Sequence, residues 1–134
     1  FETQVNNELL YEHRASGMIV STPTGSTAYA LSAGGSIVHP NLDAMILVPM
    51  FPHTLSSRPI VISGNSTINI TIDVNNYHAP FLTCDGRKKS TLKIGSTVHI
   101  TQHQKKLKLM HPNNYNYFER LHDRLNWERS TRRK

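Results

Sequence analysis

The sequence predicts a mainly β domain in which antiparallel sheets form a sandwich-like arrangement with short helices attached. Residues 66–74 alternate isoleucine or valine with polar residues, which is typical of a strand with one face on a core. Shorter apolar runs are bounded by Gly, Pro, Asn or Ser, as in a multi-stranded protein. The chain has 134 residues and is 37% hydrophobic, so we interpret residues 1–134 as one β-rich domain with a core.

These patterns predict about seven or eight strands. In chain order, the apolar runs that indicate short strands are residues 17–20, 45–48, 59–62 and 80–83. Residues 98–102 alternate like residues 66–74, and Leu107 and Leu109 follow a basic turn. The two segments are therefore predicted to form a hairpin.

Two helices are also predicted. Residues 27–33 follow a Pro-Thr-Gly-Ser turn whose hydroxyls can cap a helix, and Gly34 and Gly35 end it. Phe118, Leu121 and Leu125 recur at helical spacing within residues 116–127, which indicates a second, C-terminal helix.

Composition narrows the class of protein. The chain has 15 Lys and Arg against 9 Asp and Glu, a net charge of +6, so nucleotides or nucleic acid are plausible partners.

We expect no membrane span, because the longest apolar run, residues 44–52, is half the roughly 18 residues required. The single Cys84 cannot form an internal disulfide, which favours a cytoplasmic location. The chain opens on Phe1 without a secretory signal or an initiator Met, which suggests a piece of a longer protein.

Several catalytic and metal motifs are missing from the sequence. There is no G-x-G-x-x-G, no complete P-loop and no G-x-S-x-G. His99 and His103 have the i, i+4 spacing of a zinc pair on a helix, but their segment alternates like a strand. Residues four apart on a strand stand roughly 13 Å from each other, so we expect structural or surface roles for these histidines.

The strongest local constellation is the segment STPTGSTAY, residues 21–29. It places five hydroxyl residues and a glycine between an apolar strand and a short helix. Backbone N–H groups, hydroxyls and the helix dipole could bind a phosphorylated or polyhydroxylated ligand, and Tyr29 could stack on a base. The alternative is an ordinary capping turn with Tyr29 in the core.

The same segment carries a resemblance to a known family, the bacterial NAD kinases. The chain resembles their C-terminal half over nearly its whole length, in STPTGSTAYALSAGG (21–35), HPNLDAMILVPMFPHTLSSRPIV (39–61), CDG (84–86) and HPNNYNYFERLHDRLNW (111–127). The resemblance implies a β-rich C-terminal domain whose α/β N-terminal partner is missing from this chain.

The resemblance also implies an activity. Such enzymes transfer the γ-phosphoryl group of ATP, with Mg²⁺, to the 2′-hydroxyl of the adenosine ribose of NAD and form NADP. The family's catalytic Asp lies in a Gly-Gly-Asp-Gly motif that this chain lacks, so no catalytic residue is expected here and the chain alone is expected to be inactive. The family assembles as homo-oligomers, and we expect a dimer or tetramer.

Site residues follow from the resemblance by motif position. Thr27, Ala28, Tyr29, Ala30, Leu31 and Ser32 fall on the family's NAD-binding segment. Thr24 falls near the adenine, and Arg14 falls beside the ribose and phosphates. Ser16 stands where an Asp usually receives the nicotinamide carboxamide, and Arg87 stands where a Gln is common. Phe51 and His53 fall where a neighbouring subunit closes over the nicotinamide end.

Two alternatives remain from the sequence alone. The first is a stand-alone basic β-rich module for nucleotides or single-stranded nucleic acid, although the lysines cluster at turns and do not interleave with aromatic residues. The second is a fragment that only mediates oligomer packing. We favour the NAD kinase interpretation, with NAD and ATP as partners and neither nucleic acid nor a membrane.

Overall fold

The computed structural model describes residues 1–12, 15–53 and 56–127. The chain forms two compact units, Phe1–His103 and Gln104–Lys134. In the described residues of the first unit nine strands and two short helical segments follow one another: β1 (Glu2–Val5), β2 (Glu8–Glu12), β3 (Gly17–Ser21), a 3₁₀ helix (Thr24–Thr27), α1 (Tyr29–Ser32), β4 (Ala44–Met50), β5 (Ile60–Ser63), β6 (Ile68–Thr71), β7 (Phe81–Cys84), β8 (Lys88–Thr91) and β9 (Thr97–Ile100).

The strands form three antiparallel sheets. The largest has the order β2-β1-β6-β9, the second has the order β3-β4-β5, and the third is the hairpin β7-β8. We call them sheet A, sheet B and sheet C. In sheet A, β1 lies beside β6 although more than 60 residues separate them, so this sheet is assembled from distant parts of the chain.

Strand β4 is the centre of the first unit, because it is buried on both faces. Ala44, Ile46 and Val48 contribute to one core cluster, and Met45 and Leu47 contribute to another. Successive side chains of a strand point to opposite faces, so each cluster lies on its own side of sheet B. A strand with this environment is expected to be an unbroken apolar run, as the sequence here is.

The second cluster joins two sheets. Met45 and Leu47 of β4 pack with Ile68 of β6, which places sheet A against one face of sheet B. Two antiparallel sheets that bury their inner faces together form a sandwich. The predicted fold class, mainly β and sandwich-like with short helices, is therefore confirmed.

Individual strands differ from the predicted ones. The runs at residues 17–20, 45–48, 59–62 and 80–83 are all confirmed as strands, whereas β1, β2 and β8 were not predicted. The strand predicted for residues 66–74 ends at Thr71. It ends early because the Asp73 carboxylate accepts a hydrogen bond from the Asn75 amide at 2.8 Å, which forms a local turn.

The predicted hairpin after β9 is wrong. Strand β9 pairs with β6, and Leu107 and Leu109 lie in irregular backbone with Leu107 85% exposed. Directly after β9, the side-chain amide of Gln102 donates to the Asp43 carboxylate at 2.8 Å, next to the start of β4. The alternation at residues 107–109 was therefore not the sign of a strand.

The described part of the second unit contains one helix, α2 (Tyr117–Leu125), close to the predicted residues 116–127. The Asn116 side chain caps it by accepting from the amides of Phe118 and Glu119, and Asn126 ends it with a left-handed backbone at φ 49°. No helix in the described ranges is long and apolar enough to cross a membrane.

Strand β1 carries a polar residue into the core of the first unit. Thr3 lies between Tyr11 of β2 and Ile70 of β6 and is fully buried. Its hydroxyl has no hydrogen-bond partner among the residues that the structure describes. The neighbouring Tyr11 hydroxyl instead donates to the Arg58 carbonyl, and burial raises the pKa of Tyr11. A buried hydroxyl without a partner lowers stability.

We expect Thr3→Val to raise the free energy of unfolding of the chain by about 1 kcal/mol, because valine fills a similar volume without the unsatisfied hydroxyl. Urea denaturation of the purified chain measures the change. Thr91→Val on β8, where the residue is exposed, is the control and should be nearly neutral. A lower unfolding free energy for Thr3→Val would contradict this account.

Candidate functional site

The segment after β3 is a compact turn made of two short helical pieces. The 3₁₀ helix Thr24–Thr27 is followed by α1, Tyr29–Ser32. The Thr22 hydroxyl shapes the start of the first piece by accepting from the Gly25 amide at 3.2 Å. The capping role predicted for the hydroxyls of the Pro-Thr-Gly-Ser turn is wrong, because the N-cap residues of the two pieces, Pro23 and Ala28, carry no side-chain capping hydrogen bond. We call residues 22–35 the hydroxyl turn.

The predicted single helix over residues 27–33 is wrong in its start. Ala28 has φ −100° and ψ −132°, which is outside the helical region and separates the two pieces. A helix of four residues has too few aligned peptides for a useful macrodipole. A helix dipole therefore cannot contribute to binding a phosphate group here. Hydroxyl groups and exposed backbone are the features of the turn that could bind it.

The end of the hydroxyl turn matches the prediction. Gly34 has φ +86°, and its amide donates to the Leu31 carbonyl at 3.0 Å. The Gly35 amide donates to the Ala30 carbonyl at 2.8 Å. These two bonds after a left-handed residue are the pattern of a Schellman motif, and they bring residue 35 back against α1.

One side of the hydroxyl turn belongs to the core. Ala30 packs with Val38 and the outer face of β4, and Ser26 is fully buried. The Ser26 hydroxyl donates to the Pro23 carbonyl at 2.6 Å and accepts from the Val38 amide at 3.0 Å. Apolar packing and polar bonds together hold the turn on sheet B.

The other side faces solvent. Thr24, Ala28, Tyr29 and Ser32 are exposed, and Thr27 and Leu31 are half-buried. Tyr29 is 62% exposed, so the alternative that placed it in the core is excluded. Hydroxyls and an aromatic ring of one short segment are therefore accessible to a ligand that carries hydroxyl groups and rings.

A second group of predicted residues lies at the opposite end of β3. The Ser16 amide donates to the Met50 carbonyl at 2.9 Å, and Phe51 follows directly. Ser16, Phe51 and His53 are all exposed. The four residue steps of β3 span about 13 Å, so the predicted residues form two groups separated by the length of that strand.

Phe51 has an unusual backbone for its type. It is 79% exposed and has φ +46°, a left-handed conformation that is rare for a bulky residue. Strain of this kind often occurs at functional sites. The apolar strand β4 that precedes it is buried in the two core clusters.

Arg87 lies in a different sheet from the other described candidates. It follows Asp85 and Gly86, which have φ of 50° and 67°, in the tight turn between β7 and β8. The Arg87 amide donates to the Cys84 carbonyl at 3.0 Å, and its side chain is exposed. Arg14 lies outside the described residues.

Of the two histidines at i, i+4 spacing, His99 lies on a strand and not on a helix. His99 lies on β9 as predicted, and its Nδ1 is 2.6 Å from the amide oxygen of Asn69. The described ranges bring no three His, Cys, Asp or Glu side chains together in a group that could hold a metal ion.

Two residues of the hydroxyl turn were missed by sequence reasoning. Ser26 and Gly35 both fix the turn from its inner side, Ser26 by hydrogen bonds and Gly35 by close approach. A Cβ added at Gly35 would lie 2.7 Å from the Ala30 carbonyl oxygen and 2.9 Å from a Val48 methyl. In the sequence, only their position inside the conspicuous segment 21–35 indicated a role. That position does not show whether a residue faces the core or the solvent.

Comparisons with known proteins agree with one another. A family profile described as the ATP-NAD kinase C-terminal domain matches residues 1–112. The chain is 51% identical over 131 residues to an NAD kinase of Teredinibacter turnerae and 52% identical over 130 residues to one of Hahella chejuensis. These matches cover 98% and 97% of the chain but only 45% and 44% of the relatives, so the chain spans less than half of their length.

Two solved structures are also similar. A yeast NADH kinase complexed with NADH matches with a TM-score of 0.69 and 37% identity, over 75% of this chain and 28% of the yeast chain. An NAD kinase from Archaeoglobus fulgidus in complex with ATP matches with a TM-score of 0.67 and 29% identity, over 77% of this chain and 39% of its own.

We expect Gly35→Ala to lower the free energy of unfolding by about 1–3 kcal/mol, because the new methyl group meets backbone and a packed side chain. Gly17→Ala is the matched control, since its Cβ would meet only Met50 sulfur at an ordinary 3.4 Å, and it should change stability by under about 0.5 kcal/mol. Chemical denaturation of both variants decides. Equal stability of the two would show that Gly35 is not closely packed.

Proposed function

The chain belongs to the family of ATP-NAD kinase C-terminal domains, and we propose that residues 1–134 form the NAD-binding domain of an NAD kinase. The whole protein then transfers the γ-phosphoryl group of ATP to the 2′-hydroxyl of the adenosine ribose of NAD. This activity, its substrates and its partners are proposals for the whole protein, of which this chain is the C-terminal part.

The observation that carries the proposal is the two-sided hydroxyl turn. Ser26 and Ala30 hold it to the core, while Thr24, Tyr29 and Ser32 face outward. A surface fixed from behind loses little conformational freedom when a ligand binds, which favours affinity. Hydroxyls beside an aromatic ring suit a ligand that combines sugar hydroxyls with flat bases.

We assign the residues of the turn separate tasks in binding. Thr24 contacts the adenine end, and Thr27 to Ser32 line the dinucleotide with Tyr29 stacked on a ring. The Ala30 side chain is buried, so its contribution comes through the backbone. Arg14 and Arg87 are proposed to serve the phosphates by charge.

Ser16 is proposed to meet the nicotinamide carboxamide at the other end of β3. A serine hydroxyl can donate or accept one hydrogen bond. The aspartate that relatives commonly use there would make a charge-assisted bond of roughly twice the strength. We therefore expect the nicotinamide end to be held less tightly than the adenosine end.

The chain's part in the chemistry is to orient the acceptor. Phosphoryl transfer depends mainly on positioning and charge neutralisation, and NAD held along the hydroxyl turn would present its ribose hydroxyl to ATP. The catalytic base and the ATP site are assigned to the N-terminal half of the enzyme. Mg²⁺ is proposed to accompany ATP, and no step of the mechanism is assigned to it through residues of this chain.

The rival function, a stand-alone nucleic-acid module, is not favoured, because relatives named NAD kinase match nearly all of the chain. We also propose a cytoplasmic location. Its support is the lone, exposed Cys84, which fits a reducing compartment.

In the full-length enzyme, Tyr29→Ala should weaken NAD binding by about ten- to a hundredfold, because base–aromatic stacking contributes roughly 1–3 kcal/mol. The KM for ATP should stay nearly constant. Tyr77→Ala is the matched control, since Tyr77 is 97% exposed outside the proposed site. Unchanged NAD binding in Tyr29→Ala, measured by steady-state kinetics and calorimetry, would remove Tyr29 from the site.

We further propose that the enzyme is a homo-oligomer, a dimer or tetramer, in which Phe51 and His53 close over the nicotinamide of a neighbouring subunit. The support is that Phe51 is exposed and has a strained backbone. An exposed aromatic ring next to Pro52 and His53 is the kind of anchor that subunit contacts use.

The double variant Phe51→Ser, His53→Ser should raise the KM for NAD several-fold and leave that for ATP within about twofold, because only the dinucleotide reaches the contact. Leu9→Ser, an exposed apolar residue on β2, serves as the control. Light scattering gives the mass of each variant. A fully active monomer, or equal changes in both KM values, would defeat the subunit proposal.

A further inference from the structure

In the described residues of the hydroxyl turn, the long-range side-chain hydrogen bonds all involve the Ser26 hydroxyl and residue 38. This hydroxyl accepts from the Val38 amide at 3.0 Å, across 12 residues of chain, and donates to the Pro23 carbonyl at 2.6 Å. The side chain is fully buried. One hydroxyl therefore links the start of the 3₁₀ helix to the segment that leads into β4.

Other hydroxyls of the turn act only locally. Thr22 accepts from Gly25 at 3.2 Å, and Thr27 donates to the Thr24 carbonyl at 3.4 Å. Each of these bonds spans three residues, so it shapes the turn without attaching it to the sheet. Ser26 instead joins the turn to Val38, and Ala30 and Val38 both pack on β4.

We propose that Ser26 is a positioning residue for NAD, acting through the hydroxyl turn without touching the dinucleotide. The inference rests on the proposed function, because it names the residue that sets the orientation of that same site. Thr24 lies two residues before Ser26, and Tyr29 lies three after it. The directions in which the Thr24 and Tyr29 side chains point depend on how the turn packs against β4.

Removing the hydroxyl has a defined structural consequence. In Ser26→Ala the Val38 amide loses its acceptor, although Val38 is buried. A buried N–H without a partner is strongly unfavourable, so the turn must move until water or another acceptor reaches it. That movement displaces the exposed side of the turn relative to sheet B.

The kinetic test uses the full-length enzyme. Ser26→Ala should raise the KM for NAD about tenfold, because small misplacements of binding groups are costly, while the KM for ATP stays within about twofold. A purely structural role would reduce the active fraction, which lowers kcat and leaves both KM values unchanged. A Ser26→Ala enzyme with lower kcat and unchanged KM for NAD would overturn the proposal.

The matched control is Ile68→Val. Ile68 is fully buried in the cluster between sheets A and B, so losing one methyl group should destabilise the protein without moving the turn. It should keep the KM for NAD. If Ser26→Ala does not fold, Ser26→Cys replaces it, because a thiol has similar size but is a weak hydrogen-bond acceptor. A wild-type KM for NAD in Ser26→Cys would then count against the proposal.

Hydrogen exchange gives an independent readout of the turn. Amides in residues 22–38 should exchange faster in Ser26→Ala than in wild type, and Ile68→Val should show no such local change. If Tyr29→Ala raises the KM for NAD but Ser26→Ala behaves like Ile68→Val, only this inference fails. A wild-type full-length protein that forms no NADP would overturn the proposed function and this role with it.

Discussion

Burial of β4 on both faces is the constraint on which the first unit depends. Ile46, Leu47 and Val48 are completely excluded from solvent, and successive side chains point to opposite faces. Sheet A covers one face through Ile68, and the hydroxyl turn covers the other through Ala30. The inner side of the irregular turn is therefore part of the core of the first unit.

This arrangement explains how a short turn can act as a binding surface. Irregular segments usually run over the surface and are mobile, because few apolar contacts hold them. Here the inner side of the turn is packed on β4, and Gly35 allows a close approach that any Cβ would prevent. The outer side can then carry Tyr29 and polar groups whose positions are set before a ligand arrives. Stability and the proposed binding are linked because both depend on how the turn packs against β4.

The parts of the fold that the sequence predicted are those encoded by local patterns. Strand β4 and helix α2 carry continuous apolar or helical periodicity, and both formed where expected. Strand β1 was missed because its sequence is polar and its partner β6 lies far along the chain. The strand predicted at Leu107 and Leu109 was wrong for the same reason. Local periodicity carries no information about whether a partner strand has a free edge for pairing.

The sequence motif at residues 21–29 predicted a turn between a strand and a short helix, but not which of its side chains face outward. Thr24 and Ser26 are chemically alike, yet Thr24 is exposed and Ser26 is fully buried. Their direction is decided by where the Val38 amide lies, which no local pattern encodes. The residue type therefore limits which hydrogen bonds a side chain can make. The packing of the turn on β4 determines whether that side chain faces the core or the solvent. The proposed site therefore depends on the buried Ser26 as much as on the exposed Tyr29.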